Sequence, residues 1–293
     1  MRPEVRHVFH PPSHTYSYVV WDPGTRRAAI IDPVLDYDPA SGCSDTATAR
    51  QLVDIVEAEG LTVDWLLETH AHADHMMAVP FLKARFGPPV AIGEGIAQVQ
   101  ARFVRLFNLG AAFPTDGRPF DHLFADGERF AIGDIPAQVI HTPGHTSDHV
   151  SYVIGDAVFV GDTLFLPDAG TARCDFPAGS ATDLYRSIHR LFGVLPDSQR
   201  VFVLHDYGTE TRGPANETTI GAEREDNIHV GGARDEAAFV SLREARDATL
   251  PMPALILSAV QVNIRAGDFP PPEANGVRYL KIPLDEFRAH WRP

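Results

Sequence analysis

Apolar positions along this chain recur at two spacings, and the alternation between them lays out the fold. Residues 15–21 alternate with period two, Tyr16, Tyr18 and Val20 on one face against Ser17 and Val19 on the other, which predicts a strand. Residues 5–9 and 28–32 predict two more, and residues 36–44, rich in Asp, Pro, Ser and Gly, a loop. Over residues 46–59 the spacing becomes helical through Ala49, Leu52, Val53 and Val56. Glu59-Gly60 stops this helix, and Ser44 or Asp45 is placed to cap its start. Residues 63–68 predict a buried strand, 76–86 a helix that tolerates Pro80 in its first turn, 90–92 a strand, and 96–107 a helix with Val99, Phe103 and Phe107 on one face. Strands return at 123–124, 129–132, 137–141, 150–154 and 157–161, followed by a helix at 182–192 and a strand at 200–204. This order predicts an α+β fold, an αββα sandwich of two mostly antiparallel sheets with outer helices. Residues 1–210 form the main domain in this reading. Residues 211–293, with a helix at 235–247, a break at Pro251 and Pro253 and an apolar run at 255–262, form an appendage packed on it near the mouth of the site.

Composition removes several function classes. The 293 residues carry 25 basic against 39 acidic side chains, a net −14, so neither a nucleic acid nor an anionic membrane surface is an expected partner. The two cysteines, Cys43 and Cys174, make no disulfide framework and suit a reducing compartment. No apolar run is long enough to span a bilayer, and Met1-Arg2-Pro3-Glu4-Val5 has no secretory core, so a cytoplasmic protein is expected.

The candidate chemistry sits at strand ends. Thr69-His70-Ala71-His72-Ala73-Asp74-His75 follows a predicted strand and puts three imidazoles and a carboxylate within six positions. His141-Thr142-Pro143-Gly144-His145-Thr146 turns sharply and presents His145; Gly161-Asp162-Thr163 follows the strand before it; His205-Asp206-Tyr207 follows the last. Each segment carries a ligand-type residue at the carboxyl end of a strand. His141, His149 and His189 do not share that pattern and are read as structural. Cys174 lies beside Arg173, but no activating partner for a thiolate is visible in the sequence.

His-x-His-x-Asp-His, Pro-Gly-His-Thr, Gly-Asp-Thr and the strand-end His together resemble the metallo-β-lactamase superfamily over residues from about 5 to 210. Gly170-Thr171-Ala172-Arg173-Cys174-Asp175-Phe176, His205-Asp206-Tyr207 and Arg224-x-x-Asn227-Ile228-His229 resemble the persulfide dioxygenases, whose longer bacterial members the C-terminal segment also resembles. That resemblance implies one Fe(II) held by His70, His145 and Asp162, the two-histidine, one-carboxylate set of non-haem iron oxygenases. It implies glutathione persulfide and O2 as substrates, and His72, Asp74, His75 and His205 as groups around the ligands. Arg173 and Arg224 are then expected to pair with substrate carboxylates, and Tyr207 to bind substrate and serve catalysis. The same residues also allow zinc, one ion or two. With two, His70, His72 and His145 face Asp74, His75 and His205 across a bridging Asp162, which implies hydrolysis of a glutathione thioester as in glyoxalase II. A non-catalytic scaffold is disfavoured by the complete ligand set, and a homodimer is allowed.

Overall fold

β2 (Thr15–Trp21) follows β1 (Glu4–His10), and all seven of its residues are buried. The reason is that both of its faces are covered. Val19 and Trp21 pack in one apolar layer, Tyr16, Tyr18 and Val20 in another, so the strand has no solvent face to make polar. That observation fixes the architecture of the computed structural model, which describes residues 1–285.

In chain order, β3 (Arg27–Ile31), β4 (Val34–Asp38) and β5 (Cys43–Asp45) lead to α1 (Ala47–Ala58), β6 (Thr62–Leu67), β7 (Met76–Met77), α2 (Val79–Phe86), β8 (Val90–Gly93) and α3 (Ile96–Leu106). Then come β9 (His122–Phe124), β10 (Arg129–Ile132), β11 (Ile135–His141), β12 (Val150–Ile154), β13 (Ala157–Phe159), α4 (Ala181–Val194), β14 (Arg200–Phe202), β15 (Glu217–Thr219), α5 (Ile220–Asp226), α6 (Glu236–Asp247) and α7 (Ile256–Asn263). One sheet runs β1-β2-β3-β6-β8-β9, a second β10-β11-β12-β13-β14-β15, and a small third β5-β4-β7. Tyr18, Ile31, Leu67, Val139, Tyr152 and Phe159 fill the layer between the two large sheets. Leu52, Val56, Val99 and Phe103 cover the first sheet from α1 and α3, while Leu184, Ile188 and Leu191 of α4 cover Val158 and Val201 of the second. The expected αββα order is therefore present.

Several local expectations need amending. The second sheet is mostly antiparallel, but the first is mixed: β3, β6, β8 and β9 pair in parallel. The helices α1, α2 and α3 cause this, since each returns the chain to the same end of the sheet before the next strand begins. The expected loop at 36–44 contains the β4–β5 hairpin. The expected helix at 76–86 begins only at Val79, because Met76 and Met77 pair with β4 and the Met77 amide is held by Asn263. Neither Ser44 nor Asp45 caps α1. Asp36, across the hairpin, accepts the Thr48 amide at 2.8 Å and the Thr48 hydroxyl at 2.7 Å. Division at residue 210 does not follow the second sheet, which takes β15 from beyond it. The last part of the appendage, residues 286–293, lies outside the described residues. Among the described residues no helix is long and apolar enough to cross a membrane.

Candidate metal centre

Strand direction delivers the ligands to one edge. β13 and β14 are parallel, and β11 runs with them across the antiparallel β12, so the segments after β11, β13 and β14 leave the second sheet on one side. The segment after β6 meets them there. The Val150 amide donates to the Thr69 carbonyl at 2.9 Å, and the Tyr16 amide to the Leu204 carbonyl at 2.7 Å, which sews the two sheets together at this edge.

Two glycines let the turns close. Gly144 has φ +147, and a Cβ there would lie 2.4 Å from the α4 backbone at Leu184. Gly161 has φ +48, and its Cβ would lie 2.5 Å from Nε2 of His149. An L side chain at either place would push His145 or Asp162 off the edge.

His70, His145 and Asp162 come together with their donor atoms within 4.8 Å of one another, all three buried. Asp162 Oδ2 lies 3.4 Å from His145 Nε2 and 4.0 Å from His70 Nε2. The hydrogen bonds behind the rings set the tautomers. The Thr69 hydroxyl donates to Asp32 at 3.0 Å, which leaves its oxygen to accept from His70 Nδ1 at 3.1 Å. His145 Nδ1 donates to the Arg173 carbonyl at 2.7 Å. Both rings therefore aim an Nε2 lone pair into the cluster. Burial, then the neighbouring His72, His149, His145 and His75, holds His70 well below the usual imidazole range, so it is a neutral ligand. Its Nε2 has no hydrogen-bond partner, and neither has Asp162 Oδ1. Buried lone pairs left unmatched are what a cation would satisfy, so these residues fit a metal ion.

The other predicted groups lie alongside. His72, Asp74 and His75 form a second potential ligand set. Asp74 Oδ2 is 3.3 Å from His75 Nδ1 and 3.4 Å from His205 Nε2, which in turn is 3.4 Å from Asp162 Oδ1. Burial would raise Asp74, but His205 and His75 pull it well below the carboxylate range. Burial and His72 lower His75 to about 4, and its Nε2 is also unmatched. His72 points Nε2 at Asp32 and Glu68, each 3.1 Å away; burial opposes its charge, but the two carboxylates outweigh it and raise its pKa well above the usual value. Tyr207 stands at the mouth, its ring 6.4 Å from that of His205 and 4.9 Å from that of His14. Partial burial, then Asp162 and Asp74, raise its pKa well above that of a free phenol.

Both arginines are engaged by partners within the chain. The Arg173 fork is taken: Nε donates to Asp175 Oδ1 at 2.6 Å, Nη2 to Asp175 Oδ2 at 2.8 Å, and Nη1 to the Pro251 carbonyl at 2.7 Å. The face that a substrate carboxylate would use is filled by a carboxylate of the chain itself. What Arg173 gives the cluster is its backbone carbonyl, under His145. Arg224 on α5 donates to the Phe192 carbonyl near the end of α4 and pairs with Asp197 at 3.2 Å, so it closes a helix terminus rather than joining the cluster.

Sequence reasoning missed the groups that steer the ligands. His149 is buried; its Nε2 accepts the Asp162 amide at 2.9 Å and its ring stacks on His70 with centroids 4.8 Å apart. Asp148 accepts the Ala71 amide at 2.9 Å. Asp32, which bonds the Thr69 amide at 2.7 Å, sits at the carboxyl end of β3, and that strand-end position was the available signal. The rings of His141 and His189 bond backbone carbonyls, of Phe124 and Tyr185. Cys174 is buried with its thiol pushed well up by desolvation, which is no nucleophile's setting.

The family model for the metallo-beta-lactamase superfamily matches residues 10–196. A beta-lactamase hydrolase-like protein of Xylella fastidiosa is 51% identical over 99% of the chain, which spans 67% of that relative. Glyoxylase B2 of Dictyostelium discoideum is 46% identical, covering 93% of the chain and 94% of the relative. The mitochondrial persulfide dioxygenase ETHE1 of Bos taurus is 30% identical over 92% of the chain and 90% of its own length. Among solved structures, ETHE1 from Myxococcus xanthus superposes with a TM-score of 0.72 at 32% identity, over 90% of the chain and 100% of that structure.

Proposed function

The chain belongs to the metallo-beta-lactamase superfamily, and on that footing we propose that it oxidises glutathione persulfide with O2, using one Fe(II) held by His70, His145 and Asp162. The observation that carries this reading is the compact set of two imidazoles and one carboxylate, with two of its donor atoms unmatched. The likeness to the bovine persulfide dioxygenase supports it. Iron held by these residues would supply the redox chemistry by which a persulfide sulfur reacts with O2. The balance is RSSH + O2 + H2O → RSH + H2SO3: the terminal sulfur gives up four electrons, O2 accepts them, and the S–S bond breaks.

The chain's own residues do the rest. His149 and the Arg173 carbonyl hold Asp162 and His145 in place. His205 Nε2, equidistant at 3.4 Å from Asp74 and Asp162, faces both carboxylates and is placed to carry a proton beside them. Tyr207 stays protonated, and its phenol is the donor at the mouth for a substrate sulfur or oxygen.

A second reading is a dinuclear zinc hydrolase acting on a glutathione thioester. The unmatched Nε2 of His75, beside Asp74 and across from His205, favours it, as do the hydrolase and glyoxylase names of the more similar relatives. Metal analysis with two assays separates them. One iron per chain, with one O2 consumed per persulfide, is the expected result. Two zinc ions, thioester cleavage and no oxygen uptake would replace the dioxygenase by the hydrolase.

A further inference from the structure

The loop that carries His72, Asp74 and His75 takes three backbone hydrogen bonds from one side chain of the C-terminal segment. Between β6 and β7 this loop has no regular structure, so the His72 and His75 carbonyls need partners from elsewhere in the fold. Asn263, the last residue of α7, is fully buried against it. Its Nδ2 donates to the His72 carbonyl and to the His75 carbonyl, each at 2.8 Å, while its Oδ1 accepts the Met77 amide at 2.9 Å. An amide has two N–H donors and one carbonyl, and all of this one's polar atoms are spent on one short stretch of backbone.

We infer that Asn263 is a positioning residue of the metal centre, fixing the backbone on both sides of Asp74 so that Asp74 and His75 face His205. The inference rests on the metal centre and not on which reaction it runs. Few side chains can stand in. Aspartate would set oxygen against two carbonyl oxygens, alanine would leave three backbone groups buried without partners, and serine can replace at most one donor. The residue lies outside 10–196, the stretch matched by the family model, so on this inference the metal loop depends on chain beyond the shared domain.

The test uses the full chain loaded with Co(II) or Zn(II). Asn263→Ser and Asn263→Ala are expected to weaken metal affinity about tenfold or more in chelator competition, and to shift the visible bands of the cobalt form. Val260→Ala, a buried α7 neighbour whose side chain makes no hydrogen bond, is the control; it should lower Tm and leave affinity and spectrum unchanged. Asn263 variants that lose stability yet bind cobalt with wild-type affinity and bands would overturn the assignment. If neither variant folds, the wild-type protein decides. Its 15N-labelled Asn263 side-chain amide should exchange slowly and shift on zinc loading, and an amide that exchanges at the solvent rate or ignores zinc would end the proposal.

Discussion

The backbone amide of Asp162 donates to Nε2 of His149 across 2.9 Å, so the orientation of this carboxylate is set by a histidine outside the candidate ligand set. His149 also stacks on His70 and is bonded at Nδ1 by the Thr142 hydroxyl at 3.0 Å. His149→Ala should leave a buried N–H without a partner, costing about 1–3 kcal/mol of stability. It should also weaken metal binding by about 10–100-fold. Urea unfolding and chelator competition read the two effects separately, and unchanged affinity would remove His149 from the centre.

Arg173 and Asp175 form one unit, which gives a second expectation. Arg173→Ala and Asp175→Ala should each destabilise the loop by about 1.5–3 kcal/mol, and the double variant should add little to either. Both should raise the KM for glutathione persulfide to a similar degree, since each frees the loop beneath His145. Were Arg173 instead a clamp for a substrate carboxylate, only its own removal would raise KM.

Arg243 is fully buried and donates to Asp247 at 2.6 Å and to the Thr171 carbonyl at 2.9 Å, while Asp247 accepts the Cys174 amide at 2.8 Å. Removing one partner strands a buried charge. Arg243→Ala is expected to cost about 3–5 kcal/mol, and Arg243→Met paired with Asp247→Leu far less. Denaturant midpoints with equal m-values test both; a single variant within 1 kcal/mol of wild type would contradict the burial argument.

His229 provides a pH signature. Its Nδ1 accepts the Thr171 amide at 2.9 Å, and burial followed by Arg243, Arg246 and Arg234 lowers it to about 4. Between about 4 and 6.5 the unfolded chain binds a proton there that the folded chain does not, so stability is lost as pH falls through that window. His229→Asn keeps an acceptor and cannot titrate. It should flatten the slope of unfolding free energy against pH by up to about 1.4 kcal/mol per unit relative to wild type. Parallel curves for the two proteins would refute the assignment.

The candidate cluster was legible in the sequence because strand ends advertise it: His70, His145, Asp162 and His205 each follow a strand by three or four residues, and the sheets bring those ends to one edge. Their support was not legible, because it depends on contacts between segments remote in the chain. Nothing near Asn263 points to residue 72, and nothing beside His149 distinguishes it from His141 or His189. The partners of the arginines were hidden for a related reason. A free guanidinium and one clasped by Asp175 look the same in a string of letters, since the fork's occupant is decided by backbone turns. The mixed first sheet was missed because both pairing directions give the same apolar runs when a strand is covered on both faces.

His70 comes from the first large sheet, His145 and Asp162 from the second. An ion gripped by all three is therefore a rivet through the sandwich as well as a reagent. Stripping it out would leave that edge to the Val150–Thr69 and Tyr16–Leu204 backbone bonds and to the apolar layer behind them.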